Sequence, residues 1–263
     1  MKKKIGIVGM GFVGTKMKEI LLPFCEIITY DKKQGDCLPE ELRSCDFVMV
    51  CVDTPSMPDG SVNICNVEDA IASVPCNKIL LRSTVPPGTT AYLVKKYKKI
   101  ICFSPEYIGE SLFVSADWES FYKSKSFMII GGEPKHIKCF IDDLESIFGP
   151  NIHISQMSSA EAELVKYMDN SYFAMKISFV NEFRLLSDKL NLNWHVIREG
   201  WLLDPRIERD HTSAFKENPG FGGKCLPKDI RGIIAFAEQN NVSMDLLKAI
   251  RDFNASITEV SCE

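Results

Sequence analysis

The sequence predicts an α/β protein. A doubly wound parallel sheet is expected over residues 1–155, and an all-helical domain built on one long central helix over residues 156–263. Three observations point there. Short apolar runs alternate with helical patterns through the first half of the chain, the order expected of consecutive βαβ units. The first run breaks at once into a glycine-rich turn. Beyond Ser158 the apolar spacing changes to three and four residues, and strand-like runs cease.

Residues 4–8 form a short β-branched run that leads into Gly9-Met10-Gly11-Phe12-Val13-Gly14 and then a helical pattern over about 13–22. A second apolar run, 27–30, ends at Asp31, 22 positions after Gly9. A glycine loop between strand and helix, with an acid closing the next strand, is the dinucleotide fingerprint in its required context. Gly9, Gly11 and Gly14 allow the turn and the close approach of pyrophosphate. Phe12 and Val13 open the helix whose N-terminal N–H groups face it. Asp31 would bind both ribose hydroxyls and repel a 2′-phosphate, selecting NAD over NADP, while Lys32 and Lys33 leave room for the opposite preference. The first domain is therefore expected to be of Rossmann type.

Strand-like runs at 46–52, 78–84, 100–103 and 127–132 continue the alternation, with helical patterns at 66–72 and 137–148. Ligands of such sheets bind at the carboxyl ends of the strands. Thr54, Ser83, Thr84, Glu106 and Glu110 lie at those ends in sequence. Turn and capping chemistry accounts equally well for the hydroxyl residues taken singly.

From about 158 to 190 one long helix is predicted, capped by Ser158 or Ser159, with Glu161 and Glu163 in its first turns. Leu164, Met168, Tyr172, Met175, Phe179 and Phe183 make one apolar face. Lys166 and Asn170 lie four apart on another stripe. Pattern alone leaves an exposed polar pair slightly ahead of a functional one. A shorter helix over 194–203 precedes an irregular segment from Asp204. An amphipathic helix after Asp229 breaks at Asn240-Asn241, and Leu246, Ile250, Phe253 and Ile257 mark the last one.

Between the irregular segment and that helix lies Gly220-Phe221-Gly222-Gly223-Lys224-Cys225-Leu226-Pro227-Lys228-Asp229. Proline suits the first turn of a helix, so Cys225 is expected just before a helix N-terminus, with Lys224 and Lys228 beside it. The dipole and the cations both favour thiolate, the form a cysteine nucleophile needs. A lone cysteine would read as a buried structural one; glycines, helix start and cations together favour catalysis.

Composition narrows the field. A net charge of −4 gives no whole-chain case for nucleic acid, and no apolar run approaches the roughly 20 residues that span a bilayer. The basic start Lys2-Lys3-Lys4 is followed by a strand and glycines rather than a leader's apolar core, so a cytoplasmic protein is expected. The ten cysteines show no Cys-x-x-Cys spacing, and the four histidines are scattered. Reduced thiols are expected, and no metal site.

Taken together, these motifs resemble the UDP-glucose/GDP-mannose dehydrogenase family over essentially the whole chain. The matching segments, in family order, are residues 9–14, 52–55, 83–89, 104–110, 161–182 and 220–229. The resemblance implies NAD as cofactor, a nucleotide-sugar substrate and a homodimer centred on the 158–190 helix. It implies oxidation of a C6 alcohol to a carboxylate through a thiohemiacetal and thioester on Cys225. Lys166 and Asn170 would stabilise the oxyanion, Asp229 and Thr84 would position water and handle the proton, and Glu106 would serve hydrolysis. Thr54, Ser83 and Glu110 would line the cofactor, and Arg206, Gly222 and Lys228 would meet substrate. The chain departs from the pattern in three ways. It ends where the family's nucleotide-binding domain would begin, implying truncation or a partner chain; Glu208 replaces the glycine of Arg-Ile-Gly; and Gly109 stands where a family arginine is expected. Two other readings stand beside it: a two-electron dehydrogenase of the β-hydroxyacid type, and an NAD-binding partner or remnant without catalysis.

Overall fold

A computed structural model describes residues 2–36, 38–108 and 127–259. They divide into two compact units. One comprises residues 2–57, 62–108 and 127–166; the other comprises 58–61 and 167–259.

The first unit is a seven-stranded sheet. Its strands are β1 Lys3–Val8, β2 Cys25–Tyr30, β3 Phe47–Val50, β4 Lys78–Leu81, β5 Ile100–Phe103, β6 Phe127–Gly131 and β7 His153–Met157, in the order β2-β1-β3-β4-β5-β6-β7. The chain steps outward from β1 to β2 on one side and to β3 on the other, so the order reverses beside β1. That is where a doubly wound sheet opens its ligand crevice. All neighbours are parallel except β5 and β6, which meet antiparallel at Phe103 and Gly131. An all-parallel sheet was expected, and this pair is the exception.

The strands read as continuous apolar runs because both faces are covered. Ile5, Ile7, Phe47, Met49 and Leu80 pack into one core with Met17 and Leu21 of α1 (Phe12–Leu21) and Phe140 and Leu144 of α4 (Pro134–Phe148). Val8, Val48, Val50, Ile79 and Leu81 point the other way. Their core contains Val67 and Ile71 of α2 (Cys65–Ser73) and Leu93 of α3 (Thr89–Tyr97). The period of two is thus visible in which core each residue joins.

One strand escapes the sequence pattern. The run at 127–132 is the last strand-like one in the sequence pattern, but β7 follows it in the structure. This strand lies at the sheet edge, and its polar Ser155 and Gln156 hide the apolar run expected of an inner strand. Helix α3 falls between the 78–84 and 100–103 runs, where the alternation leaves room for a helix; Gly88, at φ 94, makes the turn after Pro86-Pro87 and is its N-cap.

Helix α5, Ser159–Lys189, opens with the predicted capping box. Ser158 N donates to Glu161 Oε2 at 2.7 Å and Glu161 N to Ser158 Oγ at 3.3 Å. The second unit contains its later turns, α6 (Trp194–Trp201), α7 (Leu226–Gln239) and α8 (Asp245–Glu259). Tyr167, Ala174, Phe221, Ile230, Ile233, Ile234, Leu247 and Ile250 form its main core. The expected apolar stripe of α5 is not the buried one: Leu164, Met168, Tyr172, Phe179 and Phe183 are exposed. Among the described residues, no helix is long and apolar enough to cross a membrane.

Candidate active-site residues

In the first unit the glycine loop joins β1 to α1. Gly9 takes φ 90 and donates its N–H to Tyr30 O at 2.9 Å; a Cβ there would stand 2.8 Å from Cys51 and Val52 backbone. Gly14 is tighter, since its Cβ would fall 1.9 Å from Gly9 O. Gly11 differs. A Cβ there would have nothing within 4 Å, so this glycine keeps clear a space that the protein itself does not fill. The first-turn N–H groups of Phe12, Val13 and Gly14, beside it in the chain, lack intrahelical acceptors. The arrangement fits a pyrophosphate.

Asp31, at the end of β2, accepts from Met10 N at 2.7 Å through Oδ2 and from Lys33 N at 2.8 Å through Oδ1. Its carboxylate therefore braces the glycine loop, and each oxygen keeps a further lone pair for a ribose hydroxyl. Lys33 reaches Asp53 at 3.0 Å. Thr54 and Ser83 are buried and stitch the ends of β3 and β4 together. Thr54 Oγ1 donates to Thr84 O at 2.9 Å and Ser83 Oγ to Val52 O at 2.6 Å. Thr84 remains half-exposed.

Glu106, expected to serve hydrolysis, is 4% exposed and engaged on both oxygens. Arg82 pairs with Oε2, while Oε1 accepts from Tyr107 N at 2.7 Å and Ile108 N at 2.9 Å. Lys166, the last residue of this unit, donates its Nζ to the Glu106 carbonyl at 2.5 Å and stands 5.9 Å from the Tyr107 ring centre. Glu110 lies outside the described residues.

Two residues of this unit carry no site role in the sequence reading. Arg82 follows the Leu80-Leu81 run, and a cation so placed must be buried with a partner; that was the available clue. Glu163 is completely buried and accepts from Gly88 N at 2.6 Å and Thr90 N at 2.7 Å. Burial pushes its carboxyl up to about 7, against the pull of those donors.

In the second unit, Cys225 is the N-cap of α7, as the proline predicted. It is half-exposed. Burial pushes the thiols of Cys25 and Cys45 up to about 11 and those of Cys51 and Cys102 up to about 12, away from nucleophilic use. Asp229 lies one helical turn on and is 2% exposed; its N–H donates to Cys225 O at 2.9 Å. Asn170 Nδ2 donates to Asp229 Oδ2 and Lys228 Nζ to Oδ1, both at 2.5 Å. Asn170 is therefore not the exposed polar residue that helical pattern favoured; it is buried on a carboxylate. Lys228, expected beside the thiol and at substrate, is held by Asp229. Gly220 and Gly223 both take φ 75, and Gly222 is exposed with open space before it. Arg206 is exposed and forks onto Asp204, with Nη2 2.6 Å from Oδ2. Nearby, His211 stacks on Phe173 at 4.1 Å, and Arg198 Nη2 donates to Thr212 Oγ1 at 2.8 Å, which anchors the irregular segment.

The model of the UDP-glucose/GDP-mannose dehydrogenase family central domain matches residues 160–256. A curated UDP-glucose 6-dehydrogenase of Rickettsia prowazekii is 32% identical over 80% of this chain and 49% of its own length. One of Campylobacter jejuni is 35% identical over 77% of this chain and 48% of its own. The solved structure of a UDP-glucose dehydrogenase from Pyrobaculum islandicum superposes with a TM-score of 0.81 at 26% identity, covering 97% of this chain and 68% of that one. The chain spans about half the length of the curated relatives it matches.

Proposed function

We propose that this chain, which belongs to the UDP-glucose/GDP-mannose dehydrogenase family, takes part in the NAD-dependent oxidation of a nucleotide-sugar alcohol to the acid. The observation that carries the proposal is Cys225 at the N-cap of α7, one turn before a buried Asp229 whose carboxylate is held by Asn170 and Lys228. A half-exposed cysteine on a helix start can act as nucleophile, and a fixed carboxylate one turn on can hold a proton or a water.

The glycine loop and Asp31 would hold NAD, which supplies hydride acceptance in both oxidations. The alcohol first loses a hydride and a proton to give the aldehyde. The Cys225 thiolate then adds to the aldehyde carbon, forming the thiohemiacetal. Loss of a second hydride leaves the thioester, and water cleaves the C–S bond to release the carboxylate and return the thiol. Lys166 and Asn170 serve the oxygen that carries negative charge in these steps, and Asp229 with Thr84 serves the attacking water. The exposed apolar residues of α5 support a homodimer through that helix.

The test is NADH formation by the purified chain with NAD and a panel of UDP- and GDP-sugars. Two NADH per sugar are expected, with the Cys225→Ala variant unable to complete the second oxidation. Cofactor binding without turnover on the whole panel would refute independent catalysis and direct the search to a partner chain. Turnover of one NADH per substrate, unchanged in Cys225→Ala, would indicate β-hydroxyacid-type chemistry.

A further inference from the structure

The first unit contains a cavity that the reaction outlined above does not use. Its volume is about 580 Å³, and it lies between the end of α3 and the start of α4. Ile100, which opens β5, forms part of its wall. The cavity is therefore at the amino ends of the parallel strands. Residues 9–14 and Thr54 follow strand carboxyl ends, at the opposite edge of the sheet.

Cations dominate the wall. Lys95, Lys98, Lys99 and Lys135 line it, against one carboxylate, that of Glu133. Lys99 Nζ donates to Ile71 O at 2.6 Å and to Val74 O at 2.5 Å, so its charge is held by carbonyl groups rather than neutralised by an acid. Lys135 meets Glu133 at 2.8 Å, but both side chains are largely exposed, and such a pair is weak enough for a competing oxyanion to displace. Lys95 and Lys98 are exposed and carry no ion pair among the described residues. Lysines at a helix C-terminus also suit its dipole, which accounts for Lys95 but not for a hollow lined by four.

A second observation is of a different kind. His136, in the first turn of α4, lines the same cavity and is 8% exposed, and its Nδ1 has no hydrogen-bond partner within the protein. Buried polar atoms are nearly always paired, so an orphaned ring nitrogen beside a cavity points to a partner from outside. Helix α4 also begins there without a side-chain cap, which leaves its positive end open. Ammonium groups, an imidazole N–H and an uncapped helix start all suit one kind of ligand, an oxyanion. Val94 and Ile100 add apolar wall, and the volume is that of a site for a small organic molecule rather than a bare ion.

We propose that this cavity is a second ligand site, separate from the glycine loop, that takes a phosphate monoester: the phosphoryl group meets Lys95, Lys98, Lys135 and His136, and the organic part lies on Val94 and Ile100. The proposal is independent of the chemistry assigned to Cys225.

The test uses the full 263-residue chain and phenyl phosphate as probe, with inorganic phosphate, sulfate and phenol in parallel. Lysine accessibility is read by reductive methylation and mass spectrometry, with the exposed Lys189 as internal standard. At about 1 mM phenyl phosphate, labelling of Lys95, Lys98 and Lys135 should fall about fivefold relative to Lys189, and the His136 ring resonances should shift in NMR titrations. The double variant Lys98→Gly/Lys135→Gln should weaken binding about tenfold or more. Lys98 takes φ 56, a conformation glycine adopts freely, so this variant removes charge without straining the turn. Thermal melts establish that it is folded; if it is not, the single variant Lys98→Gly decides by the same titration. Unprotected lysines with an unmoved His136 ring would overturn the site, as would undiminished binding by the folded variant. Equal protection by inorganic phosphate and sulfate would overturn the assignment to a monoester, and equal shifts with phenol would overturn the assignment to an anion.

Discussion

Asn254, on α8, holds both polar groups of one residue in the cysteine loop. Its Oδ1 accepts from Phe221 N at 2.7 Å and its Nδ2 donates to Phe221 O at 3.0 Å. Phe221 is 5% exposed and its ring lies in the main core of the second unit. Replacing Asn254 by Ala leaves one buried N–H and one buried C=O without these partners. Each such loss costs about 1–3 kcal/mol, so the variant should lose about 2–6 kcal/mol in urea unfolding. The damage should be local as well as global. Gly220 and Gly223 both take positive φ, so these stretches of the loop depend on outside contacts to stay folded. Alkylation of Cys225, read by mass spectrometry of its peptide, should therefore quicken several-fold under native conditions. Asn254→Asp sharpens the test, because its ionised carboxylate would face the Phe221 carbonyl. Folding should raise the carboxyl's pKa, and the variant should lose stability as pH rises through that value. Asn254→Ala within about 0.5 kcal/mol of the parent, with Cys225 alkylation unchanged, would refute the idea that this side chain organises the loop.

Three further outcomes are expected. Glu163 has a folded-state carboxyl near 7, above its unfolded value of 4.5. The folded chain therefore binds more protons than the unfolded chain between those values, and the group's contribution to stability should fall by about 3 kcal/mol as pH rises across that window. Glu163→Gln should remove that slope in urea titrations at pH 5 and 8; an identical slope would disprove it. Gly11→Ala should leave the melting temperature nearly unchanged, since its Cβ meets no protein atom, yet weaken NADH binding by at least about tenfold, measured by fluorescence, if the proposed cofactor approaches this glycine. Gly14→Ala should instead destabilise the folded chain by about 1–3 kcal/mol or more, since its Cβ meets Gly9 O; a stable Gly14→Ala chain would contradict the observed loop.

The sequence by itself determined the features set by local chemistry. The glycine spacing with Asp31, the proline that places Cys225 at a helix start, and the Ser158–Glu161 capping box all act within one or two turns of chain, so their residues suffice. The two-faced apolar strands likewise announced a covered sheet. Tertiary structure decided whatever depends on residues distant in sequence. Nothing local distinguishes an exposed Asn170 from one buried on Asp229, 59 residues away, or shows that Glu106 would be met by Arg82 and its carbonyl by Lys166. The antiparallel β5–β6 pair depends on the path taken between them, and the polar edge strand β7 needs only one covered side, so neither leaves a periodic trace. Hydrophobic pattern ranks residues by how readily they bury. It does not state which neighbour will satisfy a polar atom once buried, and in these two units those neighbours hold the residues assigned to catalysis.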